Sequence, residues 1–334
     1  MKLYVYTSSE TALKIIKTSK LALSSPSTFN DPFDCLPLWS DDDLNNAIDV
    51  FNGYIIDQKV FEELDKASDN ATHFWQRVWF SIISAEYKFV QKLSRIKPTA
   101  YDPYFKINRL KKYLNSAIKI SKSPEALIDA KEKMNTELPS LIKTEEEKFH
   151  EIFEIRDTIY IGCLSKRFNS ILMWSYYGDK HTGACIEFEL EEDPAHLFKV
   201  EYMTDRPQIQ AERFAKEYCG RLFAQMNQED IAKDHFLIKM IAQPYITKST
   251  EWEHEEEYRL VFVEKELRNM KVGQEICGDG IERYMYPMKK ITRVFMGASM
   301  PDEKKSLIKA LVSNKGIEAV NMVISNDQYI IMPN

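Results

Sequence analysis

Between about Asp41 and Glu154 the chain is built almost entirely of helix-forming residues, with Gly53 as its only glycine and breaks near Lys97-Pro98, Asp102-Pro103 and Ser123-Pro124. Lys, Glu, Leu and Ile dominate there, and a stretch of this kind folds as several helices. On both sides of it the pattern changes. Leu3 and Val5 alternate with Tyr4 and Tyr6 as a strand, an amphipathic helix follows from about Ser9, and LALSS returns as a second strand. From Thr158 onward strands resume in TIYIGCLS, GACIEFEL, FKVEYM, EYRLVFV and TRVFMG, with closing strands near Glu318–Ile324 and Tyr329–Met332. Strands at both ends of the chain with helices between them predict one split α+β domain, residues 1–40 and 155–334, built on a mixed sheet and carrying an all-helical insertion over 41–154. Two amphipathic helices, about Gln208–Met226 and Pro301–Ser313, are expected to cover the sheet.

The totals narrow the class of partner. With 44% hydrophobic and 12% aromatic residues in 334, the chain can bury a substantial core. Its 45 basic residues against 51 acidic ones give no single-sign field of the kind a dedicated nucleic-acid binder carries. Cys35, Cys163, Cys185, Cys219 and Cys277 are odd in number and form no C-x-x-C pair, as expected of reduced thiols in a cytosolic protein. MKLYVYTSSE lacks the apolar stretch of a secretory signal, and no window suits a membrane span. The aromatic run His73, Phe74, Trp75, Trp79, Phe80, Tyr87 and Phe89 recurs at helical spacing and reads as packing between helices.

Four segments are unusually polar for their positions. In KLALSSPSTFNDPFDC the side chains of Asn30, Asp31 and Asp34 can fold the loop through Asx turns, with Phe29 and Phe33 as anchors; alternatively, Asp31 and Asp34 could hold a divalent metal together with a later glutamate. CLSKRFNSILMWSYYGDKHTGACIEFEL places Met173, Trp174 and Tyr177 on a short helix and His181 in a Gly-flanked turn, where the histidine either satisfies a backbone group or serves as an acid–base or ligand contact. VEYMTDRP is the third segment. In the fourth, KSTEWEHEEEYRLVF, Glu255, Glu257 and Arg259 alternate along a strand and share a face, either as a solvated edge or as a carboxylate cluster in a cleft.

Taken together, these four segments resemble the domain-of-unknown-function family DUF2971, through FNDPFD, MWSYYGDKHTG and WEHEEEYR. The order of elements is more distantly similar to the ADP-ribosyltransferase fold. That resemblance implies a first-strand contact from Tyr4 or Tyr6, a serine from Ser24 or Ser25, and Glu257 as the carboxylate at the nicotinamide-side ribose of NAD. Arg259 or Lys248 would stand in for the missing first-strand cation. Trp174 or the tyrosines would stack the nicotinamide ring, with Glu255, His181, Asn30 and Asp31 nearby. Breaking the nicotinamide–ribose bond develops positive charge on the sugar, which a fixed carboxylate stabilises without a metal. An NAD-cleaving or ADP-ribosylating enzyme, acting on a protein or nucleic-acid acceptor in phage defence or as a toxin, is the activity implied. A non-catalytic ligand sensor whose helical insertion meets a partner protein, and a metal-dependent nuclease on Asp31, Asp34, Glu255 and Glu257, are the alternatives.

Overall fold

A computed structural model describes residues 1–38, 40–69, 158–190, 196–227 and 234–334, the backbone alone at 59–69 and 235, and isolated positions between 88 and 143 and at 230. The aromatic run from His73 to Phe89 lies outside the described residues. The chain divides into two compact units, one of residues 1–37, 155–207 and 242–334, the other of 38–154 and 208–241.

The first unit is built on an eight-stranded sheet of order β13-β12-β11-β4-β1-β3-β8-β5, comprising β1 (Lys2–Thr7), β3 (Ile159–Ser165), β4 (Ala184–Glu189), β5 (Leu197–Lys199), β8 (Glu257–Val263), β11 (Ile291–Met296), β12 (Glu318–Ile324) and β13 (Ile331–Pro333). Only β11 and β12 pair in parallel; the other neighbours are antiparallel, so the sheet is mixed and the α+β architecture is as the sequence predicts. The alternation along each strand separates two faces. On one, Leu3, Leu164, Ile186, Phe188 and Leu260 pack against α1 (Ser9–Thr18) through Ala12, Ile15 and Ile16, and against α7 (Asp302–Ser313) through Ile308 and Val312. Ser8 caps α1 by accepting from the Thr11 amide, and Ser19 ends it in the left-handed region at φ 54.

The other face carries charge. Cross-strand partners in antiparallel pairs project to the same side, and the register runs Arg293↔Glu187↔Tyr4↔Ser165↔Glu257 across β11, β4, β1, β3 and β8. One row of polar side chains thus crosses five strands at a single level. Beside it sits a small aromatic cluster of Tyr4, Tyr6, Trp174 and Phe295.

FKVEYM, expected as one strand, is two: β5, and β6 (Glu201–Met203), which leaves the large sheet to pair in parallel with β7 (Thr247–Ser249). β2 (Lys20–Leu23), β10 (Glu282–Pro287) and β9 (Gln274–Ile276) form a separate three-stranded sheet. Two short helices complete the unit, α3 (Ile171–Tyr176) and α6 (Glu264–Asn269).

In the second unit α2 (Asp41–Asp69) packs along α4 (Ala211–Phe223), with Ala47, Val50 and Phe51 against Phe214, Cys219 and Phe223, and with Leu237 of α5 (His235–Ala242). The Asp43 carboxylate accepts from the Ala211 amide at 2.6 Å, capping α4 from a neighbouring helix. The Gln208–Met226 segment, expected on the sheet, therefore buries its apolar face on α2. Among the described residues no helix is long and apolar enough to cross a membrane.

Candidate active or binding site

At the β8 end of the polar row five charged side chains are buried together. Asp34, Lys248, Glu255 and Glu257 are each under a tenth exposed, and Arg259 is wholly buried. Arg259 enters from β8 and forks onto Asp34 with two bonds, Nη1–Oδ1 at 2.9 Å and Nη2–Oδ2 at 2.7 Å, a planar bidentate match. Its Nε and Nη2 reach Glu257 at 2.9 and 3.0 Å, and Nη1 also donates to the Tyr245 carbonyl at 2.8 Å. Lys248, from β7, bonds Glu255 at 2.6 Å and Glu257 at 3.4 Å. Tyr177, just past α3, donates to the free oxygen of Glu255 at 2.8 Å. At formal charge, three carboxylates face two cations.

Local sequence explains how the acids reach one another. Glu255 ends a 3-10 turn over Thr250–Glu255 that Ser249 caps; Glu256 takes a left-handed conformation at φ 43, and Glu257 opens β8. The turn reverses Glu255 into the interior, where its carbonyl accepts from Ser165 at 2.7 Å. Aromatic rings lid the cations: Phe29 lies 5.6 Å from the Arg259 guanidinium and Trp252 4.8 Å from the Lys248 ammonium. Tyr202 accepts from the Glu257 amide at 2.8 Å.

Burial alone would raise the Glu257 pKa, but the charges of Arg259 and Lys248 outweigh it and hold the carboxyl ionised, down at about 2. Lys248 is pushed above its usual range: burial opposes its charge, and Glu257 and Glu255 more than compensate. Burial, then the Glu255 charge, raises the Tyr177 phenol, which stays a donor.

Cys163, on β3, lies directly opposite Arg259 of β8, and its thiol meets Glu257. Its side chain is exposed to solvent. Burial, then the Glu257 charge, pushes its pKa well above the ordinary thiol value.

Of the residues singled out from sequence, Glu255, Glu257, Lys248 and Arg259 meet in this cluster, and Asn30 reaches its edge through Tyr177. The others have separate partners. Tyr4 bonds Glu187 at 2.9 Å, Tyr6 bonds the Arg167 carbonyl, and Trp174, fully buried, donates to the Phe168 carbonyl. Ser24 accepts from Arg283, and Ser25 pairs with Ser27. Asp31 closes an Asx turn onto the Phe33 amide. His181, third of three consecutive left-handed residues with Asp179 and Lys180, bonds Ser175 and stacks on Trp174; burial lowers its pKa. Phe33, expected as an anchor, is 64% exposed, because the Asx turn directs it outward, and Asp34 is the residue that ties the loop to the core.

Sequence reasoning passed over Tyr177, Tyr202 and Cys163 as site residues, offered Asp34 only as a metal ligand, and also passed over Glu187. The last is wholly buried at the opposite end of the polar row, where Thr292, Tyr4 and Arg293 bond it and Lys2 lies at 3.1 Å. Its signal was an acid flanked on both sides by apolar residues in ACIEF.

Residues 173–260 match the model of a family described as proteins of unknown function, DUF2971. The DUF2971 match begins in α3 and ends in β8, so it takes in Tyr177, Lys248, Glu255, Glu257 and Arg259, whereas Asp34 and the FNDPFD loop lie outside it. No curated protein and no solved structure matches the chain.

Proposed function

We propose that the charged end of the polar row is a ligand-recognition site of the non-catalytic kind, entered at Cys163 and selecting a planar, positively polarised group. One observation carries this reading: an accessible thiol sits directly beside Glu257 and Arg259, both buried. Buried ion clusters are seldom the most stable filling for a core, so five charges placed beside a solvent-exposed side chain favour a recognition role. The surplus carboxylate and the rings of Tyr177 and Trp252 suit the nicotinamide end of an NAD-like dinucleotide. The test is calorimetry and thermal shift with NAD, ADP-ribose and nicotinamide. Saturable binding of NAD that is weakened at least tenfold in Glu257→Gln supports the reading, and no heat or shift at millimolar ligand removes NAD from it.

A second reading, an ADP-ribosyltransferase-like enzyme that cleaves the nicotinamide–ribose bond, is favoured by Glu257 being ionised and at the first position of its strand, beside the exposed Cys163. Against it, both Glu257 oxygens already bind Arg259. Nicotinamide release, abolished in Glu257→Gln, would decide for the enzyme. The metal-dependent nuclease has less support, because Arg259 and Lys248 already take the carboxylate oxygens a divalent ion would need.

A further inference from the structure

Outside the charged floor, aromatic side chains from two elements form a continuous ledge. Tyr176, the last residue of α3, is 62% exposed; its ring lies 6.4 Å from Tyr177 and 6.5 Å from His254, and His254 lies 6.1 Å from Trp252. Ile171 and Leu172, also exposed on α3, extend the apolar surface. The Tyr177–Glu255 bond fastens α3 to the 3-10 turn, so the ledge is held rather than assembled on contact.

The exposed charge of the 3-10 turn that carries Trp252 and His254 is negative. Thr250–Glu257 contains five glutamates. Glu255 and Glu257 are neutralised inside by Lys248 and Arg259, and Glu256 pairs with Arg167 at 3.5 Å. Glu251 and Glu253 are exposed and have no ion pair among the described residues. In a helix of three residues per turn, Glu251 stands one turn from His254. A half-exposed set of rings edged by unpaired carboxylates complements a guanidinium, which stacks flat on an aromatic face while its N–H groups bond carboxylate oxygens.

We infer that the ledge of Tyr176, Tyr177, Trp252 and His254, edged by Glu251 and Glu253, docks an arginine-bearing segment of another protein. The ledge shares Tyr177 and Trp252 with the site proposed above and adjoins its charged floor through Lys248, which lies over Trp252, while Tyr176, Glu251 and Glu253 belong to the ledge alone.

The test uses the full chain and three labelled peptides of equal length bearing two arginines, two lysines or two glutamates, with affinity read by fluorescence anisotropy at two salt concentrations. The arginine peptide is expected to bind tightest, the lysine peptide several-fold weaker, and the glutamate peptide not at all, with affinity falling as salt rises. Tyr176→Ala, at a mostly exposed position that folding tolerates, should weaken arginine-peptide binding about tenfold, and Glu251→Gln with Glu253→Gln several-fold. Equal binding of all three peptides, binding unchanged in both variants, or no binding at millimolar protein would overturn the assignment. Displacement of the arginine peptide by AMP alone would also overturn it, reassigning the ledge to a nucleobase. Because the residues varied, Tyr176, Glu251 and Glu253, lie outside the site proposed for NAD, NAD binding is decided by its own calorimetry whatever the peptides do.

Discussion

Two carboxylates on the same sheet face, Glu187 and Glu257, stand at opposite ends of one polar row, and both are buried and held ionised at about 2. Their surroundings differ in charge balance and in depth. Glu187 is a single acid with two cations, Arg293 and Lys2, plus the hydroxyls of Tyr4 and Thr292, and both cations reach solvent. Glu257 shares two wholly or largely buried cations with Glu255 and Asp34. The first arrangement closes a strand register, since every donor to Glu187 comes from β1, β11 or the bulge before Arg293. In the second, an excess of acid lies beside the exposed Cys163. A buried, ionised carboxylate is therefore no mark of function by itself; the surplus and the access distinguish the two.

The largest expected effect comes from unbalancing them. Arg259→Met strands Asp34 and Glu257 without their main cation in the interior, and should cost about 3–5 kcal/mol of unfolding free energy. Glu187→Gln leaves Arg293 and Lys2 free to turn to water and should cost only about 1–2 kcal/mol. Chemical denaturation of both variants measures the difference; equal losses would mean the two ends of the row are energetically alike.

Titration sharpens the same contrast. A carboxyl whose folded pKa is about 2 against about 4.5 unfolded contributes stability that is complete above about 4.5 and lost as pH falls toward 2. For Glu257 that is up to about 3 kcal/mol. Lys248, raised in the fold, contributes stability that is complete below its unfolded value near 10.5 and lost only as pH rises beyond it. The cluster thus predicts a stability plateau from about pH 5 to 10 with an acid limb, and Glu257→Gln should flatten that limb in a series of melting temperatures against pH. A limb unchanged in this variant would assign the acid sensitivity to Glu187 and the surface.

Much of the fold was legible because its signals are local. Alternation in IYIGCLS, ACIEFE and EYRLVFV and the amphipathic face of the helix from Ser9 are properties of a few neighbouring residues. Alternation also grouped Glu257 with Arg259. What it could not give was the partner of a surface or a charge. The amphipathic face of α4 reads the same whether a sheet or α2 covers it. Asp34 lies 225 positions from Arg259, and its neighbours Asn30 and Asp31 gave a sufficient local account of the loop. Tyr177 was grouped with Trp174 by helical spacing, yet α3 ends at Tyr176, which frees Tyr177 to turn toward Glu255. The His181 turn needed three left-handed residues in succession, which no pattern of side chains announces.

Smaller still is the effect of single hydroxyls. Tyr177→Phe removes one of the two partners of the Glu255 carboxylate and should cost about 1.5–3 kcal/mol, the range for bonds to charged groups, whereas Tyr4→Phe leaves Glu187 its other donors and should cost about 1 kcal/mol or less. Thermal melts of the pair rank the two ends once more, and a greater loss in Tyr4→Phe would reverse the comparison.

The finest test leaves stability untouched and asks whether solvent reaches Glu257 past Cys163. Cys163 and Cys277 keep accessible surface, whereas Cys35, Cys185 and Cys219 are buried. Burial and the Glu257 charge hold the Cys163 thiol protonated, so it should alkylate more slowly than Cys277, which is partly exposed. It should still react ahead of the three buried thiols, which wait for unfolding. Peptide mapping after timed iodoacetamide treatment of the folded protein gives the order. Glu257→Gln removes the nearest negative charge and should quicken Cys163 several-fold without changing Cys277, because a thiolate forms more readily once its like-charged neighbour is gone. If Cys163 instead labels only as slowly as Cys185, no solvent reaches Glu257 along this face, and the two ends of the row become equivalent structural clusters.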